Sequence, residues 1–170
     1  MIKRKICLIG AYAVGKTSLV RRFVSGVFSE AYLTTVGVKI DQRATRLPDG
    51  REALLMIWDL AGRDEFEAVR KSYLSGASGF VFVADGTRRE TLDAVAEEMA
   101  EIEPLYPGLP AVLLINKRDL SADWEIDEST LSAWRDRGLS VHLTSARTGE
   151  HVAEAFDDLA ARMAGDAEKV

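Results

Sequence analysis

Along the whole chain, short apolar runs of strand length alternate with stretches whose apolar residues recur at helical spacing. The first run, Ile6-Cys7-Leu8-Ile9, leads through a glycine-framed stretch into Ser18-Leu19-Val20-Arg21-Arg22-Phe23-Val24, which has the helical pattern. An irregular stretch over 26–35 follows. Then Val36-Gly37-Val38-Lys39-Ile40-Asp41-Gln42-Arg43-Ala44-Thr45 alternates as a half-buried strand does. Pro48-Asp49-Gly50 supplies a turn, proline presetting one φ and glycine accepting a positive one. Ala53-Leu54-Leu55-Met56-Ile57-Trp58 returns as a strand, so these two runs predict a hairpin. Gly79-Phe80-Val81-Phe82-Val83-Ala84 and Ala111-Val112-Leu113-Leu114-Ile115 are apolar throughout, which suits central parallel strands covered on both faces. Val141-His142-Leu143 is a shorter run of the same kind, and helical patterns occupy 64–75, 89–102, 128–137 and 150–164.

Six strands and five helices in alternation predict an α/β fold. It is a doubly wound, mostly parallel sheet with one antiparallel edge hairpin strand. No repeat, low-complexity stretch or linker divides the sequence, so 1–170 reads as a single domain. A chain of that length buries about two-thirds of its unfolded surface without staples.

Charge narrows the partners. The net charge of −5 offers no broad basic field for nucleic acid or anionic lipid. Lys3-Arg4-Lys5 is the only basic cluster at the start, and the apolar stretch after it is too short for a signal peptide. No run approaches the roughly 18 apolar residues of a membrane span. The single cysteine, Cys7, lies within the first predicted strand, which favours a packing role over reactivity. Gly165-Asp166-Ala167-Glu168-Lys169-Val170 holds no cysteine to prenylate, and Ile2 leaves no glycine for myristoylation. A cytoplasmic protein without a lipid anchor is the expectation.

In a sheet of this type ligands sit outside the carboxyl ends of the strands, and the chemistry-bearing residues fall there. Gly10-Ala11-Tyr12-Ala13-Val14-Gly15-Lys16-Thr17 fits G-x-x-x-x-G-K-[ST] between a strand and a helix. Gly10 and Gly15 let the backbone bend so that successive N–H groups point inward around an anion, and the helix adds its positive N-terminal end. Lys16 reaches toward β- and γ-phosphates, and the Thr17 hydroxyl suits Mg²⁺ beside them. The candidate phosphate contacts are Gly10, Tyr12, Ala13, Val14, Gly15, Lys16, Thr17 and Ser18.

Trp58-Asp59-Leu60-Ala61-Gly62 ends the third strand; Asp59 is placed to hold a water on Mg²⁺ and Gly62 to offer its N–H to a terminal phosphate. Asn116-Lys117-Arg118-Asp119 ends the fifth. The Asp119 carboxylate can accept from both N1–H and the exocyclic amine of guanine, whereas adenine would leave it unpaired, a penalty that discriminates strongly. Asn116 can bridge base and phosphate loop, and the Lys117 stem can pack over the ring. After the sixth strand, in Thr144-Ser145-Ala146, the Ala146 N–H is placed for guanine O6 and Arg147 can lie along the base. Taken singly, each stretch also reads as an ordinary polar turn after a strand.

In combination and in this order, these stretches resemble a small GTPase of the Ras superfamily over essentially the whole chain. Thr35 in Tyr32-Leu33-Thr34-Thr35-Val36-Gly37-Val38 completes the set. Thr35-Val36-Gly37-Val38, Trp58-Asp59-Leu60-Ala61-Gly62 and Tyr73-Leu74-Ser75-Gly76-Ala77 are similar to the Rab branch, while Ala13 brings the phosphate loop closer to the Rho branch. The resemblance implies GTP and GDP as ligands, with Mg²⁺ held by Thr17, Thr35 and Asp59. Phe28 would stack edge-on against the base, and Ser145 would join the base-binding set. Thr35 and Gly62 would contact the γ-phosphate and order the two switch loops only with GTP bound. Ile40, Trp58 and Tyr73 match the aromatic triad that Rab effectors read, with isoleucine in place of phenylalanine. An exchange factor and an activating protein are implied as further partners.

Two positions depart from the family. Arg63 stands where a glutamine orients the attacking water. A cation cannot accept that water's hydrogen bond, although it can stabilise transition-state charge as an arginine supplied in cis. Tyr12 stands where a small residue is usual, and a phenol there crowds the γ-phosphate and the entry of an activator's arginine. Lys16, Thr35, Gly62 and Arg63 are thus the candidate catalytic residues of a slow GTPase. Asp64 and Glu65 can also position water, but acidic residues are ordinary in a helix's first turn. A nucleotide-loaded scaffold or pseudo-GTPase with negligible turnover is the alternative. A phosphate-loop kinase has no use for Asn116 and Asp119. In lacking a lipid anchor the chain resembles stand-alone prokaryotic members.

Overall fold

The computed structural model describes residues 1–26, 38–60 and 72–167. Six strands make one sheet: β1 (Ile2–Gly10), β2 (Val38–Arg46), β3 (Glu52–Leu60), β4 (Gly79–Asp85), β5 (Ala111–Asn116) and β6 (Ser140–Leu143). Their order is β2-β3-β1-β4-β5-β6, with β2 antiparallel to β3 and every other pairing parallel. This is the doubly wound α/β sheet expected from the alternation, with its one antiparallel strand at the edge.

Four α-helices of the described residues connect the strands: α1 (Lys16–Ser25), α2 (Glu90–Ile102), α3 (Glu128–Asp136) and α4 (Val152–Ala167). The fifth predicted helix, at 64–75, lies largely outside the described residues; its last part is helical at Ser72 and Tyr73. β1, β4, β5 and β6 each hand the chain to one of these helices, which runs back along the sheet. The helix N-termini therefore gather at the edge where the strands end. Asp127 caps one of them, its carboxylate accepting from the Thr130 N–H at 2.8 Å.

Alternation along the strands divides the core into two layers. Ile6 and Leu8 of β1 face α1 and α4, meeting Leu19, Phe23, Phe156 and Leu159. Cys7 and Ile9 face the other way, with Leu92 and Val95 of α2 and Leu131 and Trp134 of α3. β4 is buried at all seven positions, the burial predicted by its unbroken apolar run. Phe23 and Phe156 stack at 4.3 Å between centroids and tie α1 to α4.

β1 begins earlier than its apolar run suggested. Residues Ile2 to Lys5 pair with β3, but β4 joins only from Ile6 onward. The early part of the strand therefore has a neighbour on one side and tolerates charge. Cys7 is fully buried, its thiol 3.8 Å from the Tyr73 carbonyl, and burial pushes its pKa up to about 11. That agrees with a packing role. Among the described residues, no helix is long and apolar enough to cross a membrane.

Candidate functional site

Between β1 and α1 the chain turns sharply around residues 11–15. Gly15 has φ 100°, in the left-handed region, and a β-carbon there would lie 2.4 Å from Asn116 Nδ2. At Gly10 a β-carbon would meet the Val83 carbonyl oxygen at 2.4 Å. Glycine is required at both ends by space, and at Gly15 by conformation as well. Ala13 also adopts a positive φ, 62°, which a residue bearing a β-carbon holds only under restraint.

That restraint is visible. Five successive carbonyls of the turn each accept from a side chain. The Lys16 ammonium donates to Gly10 at 3.0 Å and Ala11 at 3.2 Å, Arg88 to Tyr12 at 2.9 Å, Lys117 to Ala13 at 3.1 Å, and Asn116 to Val14 at 3.0 Å. Carbonyls held in this way fix the course of the turn at the start of α1, an arrangement that suits an anion. Lys16 is only 7% exposed, its charge folded across the same turn. Ser18 lies in the first turn of α1, half-buried.

Thr17 and Asp59 meet where α1 starts and β3 ends. The Thr17 hydroxyl donates to Asp59 Oδ2 at 2.5 Å, and Asp59 is fully buried. A hydroxyl and a carboxylate are hard oxygen donors. Mg²⁺ takes one or two such protein ligands and completes its shell with waters and substrate phosphates. The pair fits Mg²⁺ at the mouth of the turn. Thr35, Gly62, Arg63 and Phe28 lie outside the described residues.

The ends of β5 and β6 form the other half. Asn116, 2% exposed, turns its amide N–H to Val14 and its Oδ1 to the Thr144 hydroxyl and the Ala146 N–H, each at 3.3 Å. The Ala146 N–H expected to face guanine O6 is thus shared with Asn116. Ser145 donates its hydroxyl to Asp119 Oδ1 at 2.8 Å and accepts from the Thr148 N–H at 3.1 Å. Lys117 holds φ 69°, in the left-handed region. Arg147 is exposed beside them.

Sequence reasoning missed Asp85, at the end of β4. It is 1% exposed, and its Oδ2 receives Lys117 Nζ at 2.9 Å and Arg88 Nε at 3.1 Å. Its Oδ1 takes the Thr87 N–H at 2.8 Å and hydroxyl at 2.7 Å. Burial works to raise its pKa, but the hydrogen bonds from Lys117, Thr87 and Arg88 outweigh it and hold the carboxyl below its ordinary value. An aspartate closing an otherwise apolar strand, as Asp59 closes β3, was the available signal.

On the flank, Ile40 and Trp58 are cross-strand partners in the β2–β3 pair, and the Trp58 and Tyr73 rings stand 6.1 Å apart. Ile40 is 46% exposed. Lys5 lies over the Trp58 ring at 3.7 Å and donates to the Ser75 carbonyl at 2.7 Å. The three residues expected to meet partners do form one cluster.

Residues 5–165 match the Ras family. The Ras-related protein Rab-13 of the dog, Canis lupus familiaris, is 33% identical over 158 residues, which cover 92% of this chain and 77% of that protein.

Proposed function

The chain belongs to the Ras family of small GTPases, and on that premise we propose a GTP/GDP switch of slow intrinsic turnover that signals through protein partners. Members of the family bind GTP and GDP together with Mg²⁺ and act as GTP-hydrolysing switches. Asn116 carries the reading for this chain: one buried amide joins the anion-binding turn at Val14 to the loops bearing Asp119 and Ala146. That link supports reading the two as phosphate and base sites held at a fixed separation.

In this reading Lys16 binds the β- and γ-phosphates, and N–H groups of the 12–18 segment line them. Thr17, Asp59 and Thr35 hold Mg²⁺, which when bound neutralises phosphate charge. Asp119 selects guanine, with Ser145 fixing its carboxylate, Lys117 over the ring, and Phe28, Ala146 and Arg147 around the base. Gly62 faces the terminal phosphate. Arg63 in place of glutamine leaves the attacking water without its amide acceptor. Tyr12 is 58% exposed at the rim of the turn, a position that supports its reading as an obstacle to an activator's arginine.

Ile40, Trp58 and Tyr73 offer the partner surface for effectors, and an exchange factor and an activating protein would act on the same switch region. We read 1–170 as one G domain, acting in the cytoplasm.

Single-turnover hydrolysis of preloaded GTP with Mg²⁺ tests the proposal in wild type, Arg63→Gln and Arg63→Ala. Slow wild-type turnover that quickens in Arg63→Gln supports it. Fast wild-type turnover lost in both variants makes Arg63 catalytic and overturns the slow-switch reading. Tight nucleotide retention with no turnover in any of the three replaces it with the scaffold.

A further inference from the structure

Asp85 gathers two cations on one buried oxygen, and each cation reaches past it to the phosphate-binding turn. Lys117 bonds the Ala13 carbonyl and Arg88 the Tyr12 carbonyl, so two consecutive peptide units are held from the end of β4. Arg88 spans 76 positions of sequence to do so. Its own backbone is fixed as well, since the Thr91 hydroxyl accepts from the Asp85 N–H at 2.8 Å and donates to the Arg88 carbonyl at 2.7 Å. Two nitrogens of the Arg88 guanidinium are therefore held, Nε by Asp85 and Nη2 by the Tyr12 carbonyl. Nothing in the phosphate-binding pattern itself calls for an arginine at this position.

The peptide between Tyr12 and Ala13 needs such a hold. Ala13 sits at φ 62°, a conformation that a residue bearing a β-carbon holds only under restraint. Asn116 and Lys117 restrain the inner part of the turn, at Val14 and Ala13. Arg88 restrains the outer residue, which in the proposed reading flanks the third phosphate. We infer that Arg88, oriented by Asp85, is a positioning residue that sets the turn at Tyr12 and so favours a nucleoside triphosphate over the diphosphate. The inference rests on the proposed function. A conformational device can discriminate two ligands only through a difference in its interaction with them, and the terminal phosphate is the only difference available here.

The test is dissociation of a fluorescent GDP and of a fluorescent non-hydrolysable GTP analogue from the Mg²⁺-loaded full chain. Wild type, Arg88→Ala and Arg88→Lys are compared, with melting temperatures measured alongside. Loss of a charge-assisted hydrogen bond should speed release of the triphosphate analogue by about tenfold in Arg88→Ala and that of GDP by distinctly less. Arg88→Lys, keeping the charge and a donor, should recover part of the difference. Equal acceleration of both nucleotides, in step with a lowered melting temperature, makes Arg88 merely structural and overturns the inference, as do unchanged rates. If wild type binds neither nucleotide, the proposed function itself fails, an outcome separate from any effect of Arg88.

Discussion

The Asn116 amide donates to the Val14 carbonyl at 3.0 Å across 102 positions of sequence, while its oxygen accepts from Thr144 and Ala146. One planar group thus serves a donor's need on one side and an acceptor's on the other. Asn116→Ala leaves the Val14 carbonyl and the Ala146 N–H without this partner, at about 1–3 kcal/mol for each buried group. Asn116→Asp is expected to be worse, because it sets a carboxylate oxygen against the Val14 carbonyl. Calorimetric titration with GDP should show affinity lowered at least tenfold in Asn116→Ala, roughly what one such group is worth, and further in Asn116→Asp.

Ser145 fixes one oxygen of Asp119 at 2.8 Å, so the orientation of the carboxylate does not depend on a ligand. Asp119→Asn should keep the fold while presenting an amide to guanine's two donors. Binding of GDP is expected to fall by at least about a hundredfold, the scale set by unpaired polar groups in a site built for them. Xanthosine diphosphate, whose base carries a carbonyl where guanine has its amine, should gain in the same variant. Competition between the two nucleotides measures both changes.

Asp85 has a pKa held below the ordinary carboxylate value in the folded protein. Its contribution to stability is therefore complete above the unfolded value of about 4 and disappears as pH falls through the lower, folded value. Urea midpoints measured from pH 6 down to pH 3 should decline more steeply below about pH 4 in wild type than in Asp85→Asn. The variant should be less stable at neutral pH, since Lys117 and Arg88 then face a neutral group. Parallel slopes would remove Asp85 from the acid response.

Cys7 is fully buried, with a thiol pKa raised to about 11. A thiol-specific disulfide reagent at pH 8 should leave the native protein unmodified over the period in which it titrates one thiol per chain in denaturant. Rapid native labelling would place Cys7 at the surface and contradict its packing between β1 and α2.

Much of the sheet was legible because burial on both faces writes itself as uninterrupted hydrophobicity, as in Gly79–Asp85 and Ala111–Asn116. The β2–β3 hairpin was legible from its turn, where Asp49 pairs with Arg51 and Gly50 takes φ 89°. Lys3, Arg4 and Lys5 hid the start of β1, because a strand paired on one side can carry charges that its central half cannot. In the candidate site, Gly15, Lys16, Thr17, Asp59, Asn116 and Asp119 came from motif spacing together with their places after predicted strands and their order along the chain. Asp85 and Arg88 did not. Their importance lies in contacts with Lys117 and Tyr12 made across the sheet, and no local pattern encodes a distance of that kind.

The gathering of helix N-termini at one edge of the sheet makes the molecule electrically two-ended. Each helix contributes roughly half a positive charge at that edge and the opposite sign at its far end, on a chain whose sum is −5. At physiological salt both the net charge and the helix ends are largely screened beyond about 8 Å, so an approaching polyanion feels the attraction of the helix ends only at close range. Capture is a short-range event. It rewards an anion that fits the turn and gives no advantage to one that is merely highly charged.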